Sequence, residues 1–240
     1  MTGEQLVEID EYLDDMLHNR FNLPTEELVT NFHLEKLREF RCEGFPNGVG
    51  VAHDISCLRF AINLEKLHLS FNTFSDISAL SSLSKLCYLD LSFTSITDIT
   101  ALQHISSLEY LDIRRTAVSD LTPLVSSSNL RSLYIFRCPV DSLQPLESLS
   151  KLELLHAGST CITDLSPLSR LENLKNISIS GTSVVDVSPL SGCLSLTKLD
   201  IGQTKLTVRH LKPLRKLSQL FVVNGNSVVK LGKAHDCCIQ

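Results

Sequence analysis

The sequence LCYLDLSFTSITDITALQHISS occupies residues 86–107, and LEYLDIRRTAVSDLTPLVSSSN follows directly at residues 108–129. Both segments are versions of one 22-residue unit that occurs seven times between Leu64 and Leu217. The first leucine of each copy recurs at constant spacing, at Leu64, Leu86, Leu108, Leu130, Leu152, Leu174 and Leu196. Apolar residues recur three and five positions later in every copy. A repeat of this regularity determines the organisation of the chain more strongly than its length does.

The first half of each copy has the alternation of a short β-strand, with leucines pointing inward and the residues between them pointing outward. Because the copies have equal length, we expect their strands to lie side by side in a parallel sheet, about 4.8 Å apart. The second half often carries Ser or Thr followed by Pro, as in Thr122-Pro123 and Ser166-Pro167. This pair fits the N-cap and first position of a helix, so it predicts a short helical or 3-10 turn.

The pattern L-x-x-L-x-L-x-x-(N/T)-x-I-x-x-I-x-x-L resembles the leucine-rich repeat family. Its length is similar to the 22-residue class, which includes the protein phosphatase 1 regulatory-subunit type and bacterial internalins. The segment Ile162–Leu168, ITDLSPL, is especially similar to internalin repeats and to protozoan leucine-rich repeat proteins. The resemblance covers about two thirds of the chain. It implies an α/β leucine-rich repeat solenoid with a parallel β-sheet on its concave face and short helical or 3-10 turns on its convex face.

Outside the regular copies, the chain divides into a cap, an irregular first repeat and a tail. Leu6, Ile9, Leu13 and Leu17 follow helical spacing, so residues 1–40 are predicted to form an N-terminal helical cap. The solenoid is predicted over residues 41–223, with eight or nine repeats of which seven are regular. Its first repeat aligns with the regular copies only if an insertion is allowed within it. A last strand is expected near residues 220–223 and a tail over residues 224–240.

Composition is that of an ordinary water-soluble domain, with 43% apolar and 20% charged residues and a net charge of −5. No apolar run is long enough to span a membrane. The acidic N-terminus lacks the basic start and apolar centre of a secretory signal. We therefore expect a cytoplasmic monomer whose eight cysteines are reduced. The negative net charge argues against a nucleic-acid partner.

The last four residues, Cys237-Cys238-Ile239-Gln240, match the C-a-a-X pattern for farnesylation of Cys237. Stable anchoring requires a second signal, for which upstream basic residues are suitable. Those residues are Lys205, Arg209, Lys212, Arg215, Lys216, Lys230 and Lys233. The alternative is a chance match in a tail. If Cys237 is farnesylated, the chain is expected to bind a membrane surface as well as a protein partner. Its location would then be peripheral to a membrane as well as cytoplasmic.

The outward strand positions are the candidate binding site, because repeat proteins commonly bind partners on the concave face. Aromatic and arginine side chains concentrate there in the first four copies, and these residue types are enriched at interface hot spots. The predicted partner-binding residues are Phe71, Tyr88, Asp90, Phe93, Tyr110, Asp112, Arg114, Arg115, Tyr134, Phe136 and Arg137. For Phe71 and Phe93, packing against the turn after the strand is the alternative.

Two polar columns have a structural interpretation. The aspartates at 76, 98, 120, 164 and 186 suit backbone hydrogen bonds at turns better than a calcium site. The threonines at 94, 116, 160, 182 and 204 replace the asparagine that the resemblance leads us to expect and that Asn72 retains. No catalytic motif is present, so we predict no catalytic residues, metal or cofactor.

The predicted function is that of a non-catalytic scaffold or adaptor that binds a protein partner on its concave face. The alternative is a regulatory subunit of a protein phosphatase or other enzyme, which the 22-residue class implies. A secreted adhesion protein is disfavoured by the cysteine content and the missing signal.

Overall fold

The computed structural model describes residues 6–45 and 50–231. Two α-helices precede the repeats, α1 at Glu11–Phe21 and α2 at Asn31–Glu35. Strands β1 to β10 follow at Glu39–Arg41, Lys66–His68, Tyr88–Asp90, Tyr110–Asp112, Ser132–Tyr134, Leu154–His156, Asn176–Ser178, Lys198–Asp200, Phe221–Asn224 and Ser227–Lys230. Short 3-10 helices lie between them, at Ser56–Phe60, Ser78–Ser82, Thr100–Leu102, Thr122–Leu124, Gln144–Leu146, Ser166–Leu168, Ser188–Gly192 and Lys212–Lys216.

All the strands belong to one sheet in which strand order equals chain order. Strands β1 to β9 are parallel, and Leu89 pairs with Leu111 and Leu111 with Leu133, each one repeat away. The predicted parallel stack is therefore confirmed. Phe40 pairs with Leu67 and Leu199 with Val222. These intervals exceed the regular one by five residues and one residue, which locates the expected insertion in the first repeat and the change of register near the end.

The interior is one continuous apolar core. The repeat leucines are fully buried, as Leu67, Leu89 and Leu111 show. Consecutive 3-10 helices also contact one another, so they stack as a second layer parallel to the sheet. A single copy has no partner for either layer, and burial of its apolar side chains therefore depends on its neighbours. Four of the described cysteines, Cys42, Cys57, Cys138 and Cys193, lie in this core as free thiols, and burial raises the pKa of Cys193 to about 11.

The 3-10 turns begin one position earlier than the N-cap interpretation required. Thr122 is itself the first residue of its turn, Leu121 is the cap residue, and no cap side chain accepts a hydrogen bond there. The carboxylate of Asp120 instead accepts the Thr122 backbone N–H at 2.8 Å. Prolines do occupy the first turn as expected. The prediction that Ser or Thr is the N-cap is therefore wrong. The aspartate two residues earlier accepts the backbone N–H at the start of the turn, so no Ser or Thr hydroxyl is needed to accept it.

The N-terminal cap is helical, but α1 begins at Glu11 and not near Leu6. Asp10 is the N-cap, and its side chain accepts the N–H groups of Tyr12 and Leu13 at 3.1 and 3.3 Å. Leu13 and Leu17 are fully buried in the core, whereas Leu6 is 62% exposed. Helical spacing across residues 6–9 was misleading because the capping aspartate determines where the helix starts.

The end of the solenoid is a hairpin. Strand β10 pairs antiparallel with β9, with Val228 opposite Val223. Part of the segment expected to be a tail from residue 224 is therefore a tenth strand. Gly225 has a φ of +57° and provides the tight turn between the two strands. The additional strand covers the β9 edge, which would otherwise be open to another chain.

Candidate functional site

Outward side chains on β2 to β6, together with one that follows β5, form a continuous row of rings in contact, which we call the ring ladder. Its members are His68, Tyr88, Tyr110, Tyr134, His156 and Phe136. The 22-residue register makes Tyr88 and Tyr110 direct neighbours. Their ring centroids lie 4.2 Å apart and their planes differ by 7°. The row then crosses to the adjacent column, since Tyr110 contacts Tyr134 at 5.3 Å.

Histidines supply the rings on the first and last strands of the ring ladder, β2 and β6. The His68 ring centroid lies 4.5 Å from that of Tyr88, with the two planes tilted by 34°, and His156 is stacked parallel to Phe136 at 5.3 Å. Gly158 makes room for this second stack, because a Cβ there would lie 3.2 Å from the Phe136 ring. The sequence prediction did not include either histidine. Both lie in the outward column that also holds Asp90, Asp112 and Tyr134, and that position was the signal that could have identified them.

The tyrosines of the ring ladder are half-buried and neutral at physiological pH. Burial is the main cause that raises the pKa of Tyr88, Tyr110 and Tyr134. Each therefore presents an apolar ring and a hydroxyl that can donate a hydrogen bond. Stacked pairs contribute about 0.5–1.5 kcal/mol each beyond burial, so the rings hold one another in place before any partner arrives.

Asp112 and Arg114 form an ion pair beside these rings. The Nε of Arg114 donates to Oδ1 and Oδ2 of Asp112 at 2.9 and 2.8 Å, and its guanidinium lies 5.3 Å from the centre of the Tyr134 ring. Asp112 is 0% exposed, and burial raises the pKa of its carboxyl group against the opposing effect of Arg114. Contrary to the expectation of an accessible acid, Asp112 is covered, and it orients Arg114.

A second set of outward residues follows the strands, where the chain turns away from the sheet. We call Phe71, Phe93, Arg115 and Arg137 the strand-end ridge. Phe71 stacks on Phe93 at 4.4 Å, and Arg115 lies over the Phe93 ring at 5.2 Å. Arg137 lies over Phe136 at 5.4 Å, which joins the ridge to the ring ladder. Phe71 and Phe93 pack on each other, yet Phe93 remains 36% exposed.

The structure thus places the predicted residues on one face of the sheet, with Asp112 covered beneath its surface. Asp90 lies on the same face with its Oδ1 accepting the Ser92 N–H at 2.9 Å. Beyond Tyr134 the face continues as an open hollow of about 240 Å³, lined by His156, Asn176, Lys198 and Asp200 among others.

Known proteins provide an independent comparison for this architecture. A leucine-rich repeat family profile matches residues 62–118. An internalin, InlF, from Listeria monocytogenes is similar over 90% of this chain and 63% of its own, with 27% identity and a TM-score of 0.84. Internalin C2 from the same organism is similar over 90% of this chain and 93% of its own, with 25% identity and a TM-score of 0.83. The repeats of this chain are leucine-rich repeats in the fold of these internalins.

More distant solved structures share the fold. The leucine-rich repeat protein LIC12759 of Leptospira interrogans covers 71% of this chain and 45% of its own, with 19% identity and a TM-score of 0.66. The ectodomain of the Arabidopsis thaliana receptor kinase GASSHO1/SCHENGEN3 is similar over 77% of this chain and 23% of its own, with 18% identity and a TM-score of 0.67. No curated protein sequence matches this leucine-rich repeat chain. The chain spans less than two thirds of the InlF length.

The polar columns of these leucine-rich repeats have the structural roles that the sequence indicated. The aspartates accept backbone N–H groups two residues ahead, as Asp98 does from Thr100 at 2.7 Å. The threonine hydroxyls donate to carbonyls three residues back, as Thr160 does to Ala157 at 2.7 Å. Cys138 takes the threonine position in one repeat, and its thiol donates to the Ile113 carbonyl at 3.0 Å.

The farnesylation prediction for Cys237 lies outside the described residues, as does Lys233. The other basic residues of that prediction are exposed at the end of the leucine-rich repeats, for example Arg209 and Lys212. Within residues 6–45 and 50–231, no helix has the length and apolar character needed to cross a bilayer.

The histidines make the stability of this leucine-rich repeat array dependent on pH. Burial is the main cause that lowers the pKa of His156, and the positive charge of Arg114 adds to it. Protons therefore bind the unfolded chain more readily, so stability is lost as pH falls below about 6.5 towards the folded pKa. The urea midpoint of the wild type should fall more steeply between pH 7.5 and 5.0 than that of His156→Gln. Equal pH dependence of the urea midpoint in the wild type and in His156→Gln would contradict this prediction. His104→Gln, which replaces an exposed histidine, is the control.

Proposed function

We propose that this chain is a non-catalytic interaction module that binds a protein partner on the outward face of its sheet. The observation that carries the proposal is the ring ladder: neighbouring strands present six rings, of which Tyr88, Tyr110 and Tyr134 are half-buried rather than enclosed. Partly exposed aromatic patches on a folded protein are characteristic of binding surfaces.

Pre-organisation supports the same conclusion. Binding normally costs free energy because interface side chains lose rotamer freedom. Here the ring stacks and the pair of Asp112 with Arg114 already hold those side chains. Tyr and Arg are also the residue types that contribute most to interface hot spots. The surface is therefore suited to tight binding without a large conformational change.

The structural neighbours support the class of function. The plant ectodomain was solved in complex with CASPARIAN STRIP INTEGRITY FACTOR 2, so this fold can hold a bound partner. Its identity of 18% extends the likeness to the fold alone. We therefore propose that the present chain, like that ectodomain, acts by binding a partner.

Replacing Tyr110 and Tyr134 with alanine should weaken partner binding strongly. Hot-spot truncations cost about 2 kcal/mol or more each, which corresponds to roughly 30-fold in affinity. The measurement is quantitative affinity capture from cell extract, followed by titration of the recovered partner. Val125→Ala and Leu194→Ala, which remove exposed apolar side chains away from the sheet, form the matched control.

A folded double tyrosine variant with wild-type affinity would contradict the proposal. Recovery of an enzyme catalytic subunit, lost in the same variant, would identify the more specific form of the function, a regulatory subunit of a phosphatase or similar enzyme. Recovery of a partner that also binds the tyrosine variant would place the interface elsewhere.

A further inference from the structure

The strand-end ridge has an unfavourable backbone conformation for its residue types. Phe71, Phe93, Arg115 and Arg137 have φ values of +60°, +57°, +54° and +60°. Such left-handed conformations favour glycine, because a Cβ atom crowds the following carbonyl group. Two repeats after Arg137, the same column holds Gly181 at a φ of +68°, so glycine suits this position. Four consecutive repeats nevertheless carry large side chains there.

The charges of the ridge are also unfavourable in isolation. Arg115 and Arg137 are exposed and follow adjacent strands, which are about 4.8 Å apart. Among the described residues, neither guanidinium has a carboxylate within ion-pair distance, whereas Arg114 is neutralised by Asp112. Like charges on neighbouring strands repel each other. Two arginines without an ion pair thus follow adjacent strands in a chain whose net charge is −5.

The rings beneath these arginines hold them for contact with another molecule. Arg115 lies over Phe93 and Arg137 over Phe136, at 5.2 and 5.4 Å from the ring centres. Stacking on an aromatic face limits guanidinium motion while its N–H groups remain available. Their backbones are fixed as well, since Arg115 N–H donates to the Phe136 carbonyl at 2.9 Å.

From these observations we propose that the strand-end ridge binds an acidic segment of the protein partner, with Arg115 and Arg137 pairing with its carboxylate side chains. The inference rests on the proposed function of the sheet face. Guanidinium groups pair with carboxylates through two parallel hydrogen bonds. The adjacent ring ladder would accept apolar side chains of the same segment.

The rest of the face favours an acidic peptide over a nucleic acid. Asp90 lies on β3, and Glu39 and Glu43 lie at the β1 end beside Arg41. The continuous phosphates of a nucleic acid would meet these carboxylates along the sheet. A peptide can place two or three carboxylates over the ridge and neutral side chains elsewhere.

The test is selection of a phage-displayed library of random short peptides on the full chain, followed by fluorescence titration of the enriched peptides. We expect the selected peptides to be enriched in Asp and Glu. Their affinity for the double variant Arg115→Gly/Arg137→Gly should be lower by roughly tenfold or more for each arginine replaced. The same variant should keep or raise its thermal midpoint, because glycine relieves the left-handed backbone. Gln203→Gly, in the same column at a φ of +57°, is the matched control and should bind normally.

Arg115→Gln/Arg137→Gln provides a second variant that keeps the backbone strain and removes the charge, and it should also lose binding. Peptides without acidic residues, or acidic peptides that bind both arginine variants normally, would overturn the inference. If such peptides still required Tyr110 and Tyr134, the proposed function would stand. Peptides that bind the tyrosine variant normally, or a selection that yields none, would count against the proposed function as well.

Discussion

Replacing Arg114 with alanine is expected to destabilise the fold by about 3–5 kcal/mol, because it leaves a buried carboxylate without its partner. Asp112 is 0% exposed, and the Arg114 Nε donates to both of its oxygens. An exposed ion pair would contribute only about 0–1 kcal/mol. Urea unfolding followed by circular dichroism measures the difference.

The control for this prediction removes the buried charge as well. Asp112→Asn combined with Arg114→Ala should recover most of the lost stability, since a neutral amide costs less to bury than an unpaired carboxylate. The cycle of single and double variants then isolates the coupling between the two side chains. A loss of under about 1 kcal/mol for Arg114→Ala would show that the pair acts as a surface salt bridge.

Asn72→Ala should have the second large effect, about 3 kcal/mol or more, because its side chain satisfies several buried backbone groups at once. Its Oδ1 accepts the Ala52 N–H at 2.7 Å, and its Nδ2 donates to the carbonyls of Cys42 and Leu69 at 2.7 and 2.9 Å. Two of these residues belong to the first repeat, so Asn72 joins that repeat to the regular ones. Hydrogen exchange should show residues 11–45 losing protection first.

Thr160→Ala is the matched control for Asn72→Ala. Its hydroxyl occupies the equivalent position but makes one hydrogen bond, to the Ala157 carbonyl. We expect a cost of about 1 kcal/mol, typical of a single hydrogen bond. Equal losses for the two variants, or uniform loss of protection along the chain, would show that Asn72 does not anchor the N-terminal region.

The sheet could be predicted from sequence because equal repeat length determines register. Once Leu89 and Leu111 occupy the same position in successive copies, parallel stacking must place Tyr88 beside Tyr110. This reasoning also predicted which columns point outward. It could not predict the accessibility of Asp112, which depends on how Arg114 and the surrounding side chains cover it.

The strand-end ridge was beyond prediction for a different reason. Its positions in the sequence indicated exposure, but Phe71, Phe93, Arg115 and Arg137 are residue types that rarely adopt positive φ. Packing of the whole stack imposes that conformation, and local propensity gives no sign of it. The start of α1 was missed because Asp10 acts as a cap, a role that helical spacing alone does not reveal.

The most direct test of the account is hydroxyl-radical footprinting of the full chain with and without its captured partner. Tyr88, Tyr110 and Tyr134 should become protected on binding, because they form the proposed contact surface. Tyr12, which bonds to the Glu43 carbonyl in the N-terminal cap, should react at an unchanged rate and serves as the internal reference. Unchanged reactivity of all three ladder tyrosines in the bound state would contradict binding on the sheet face.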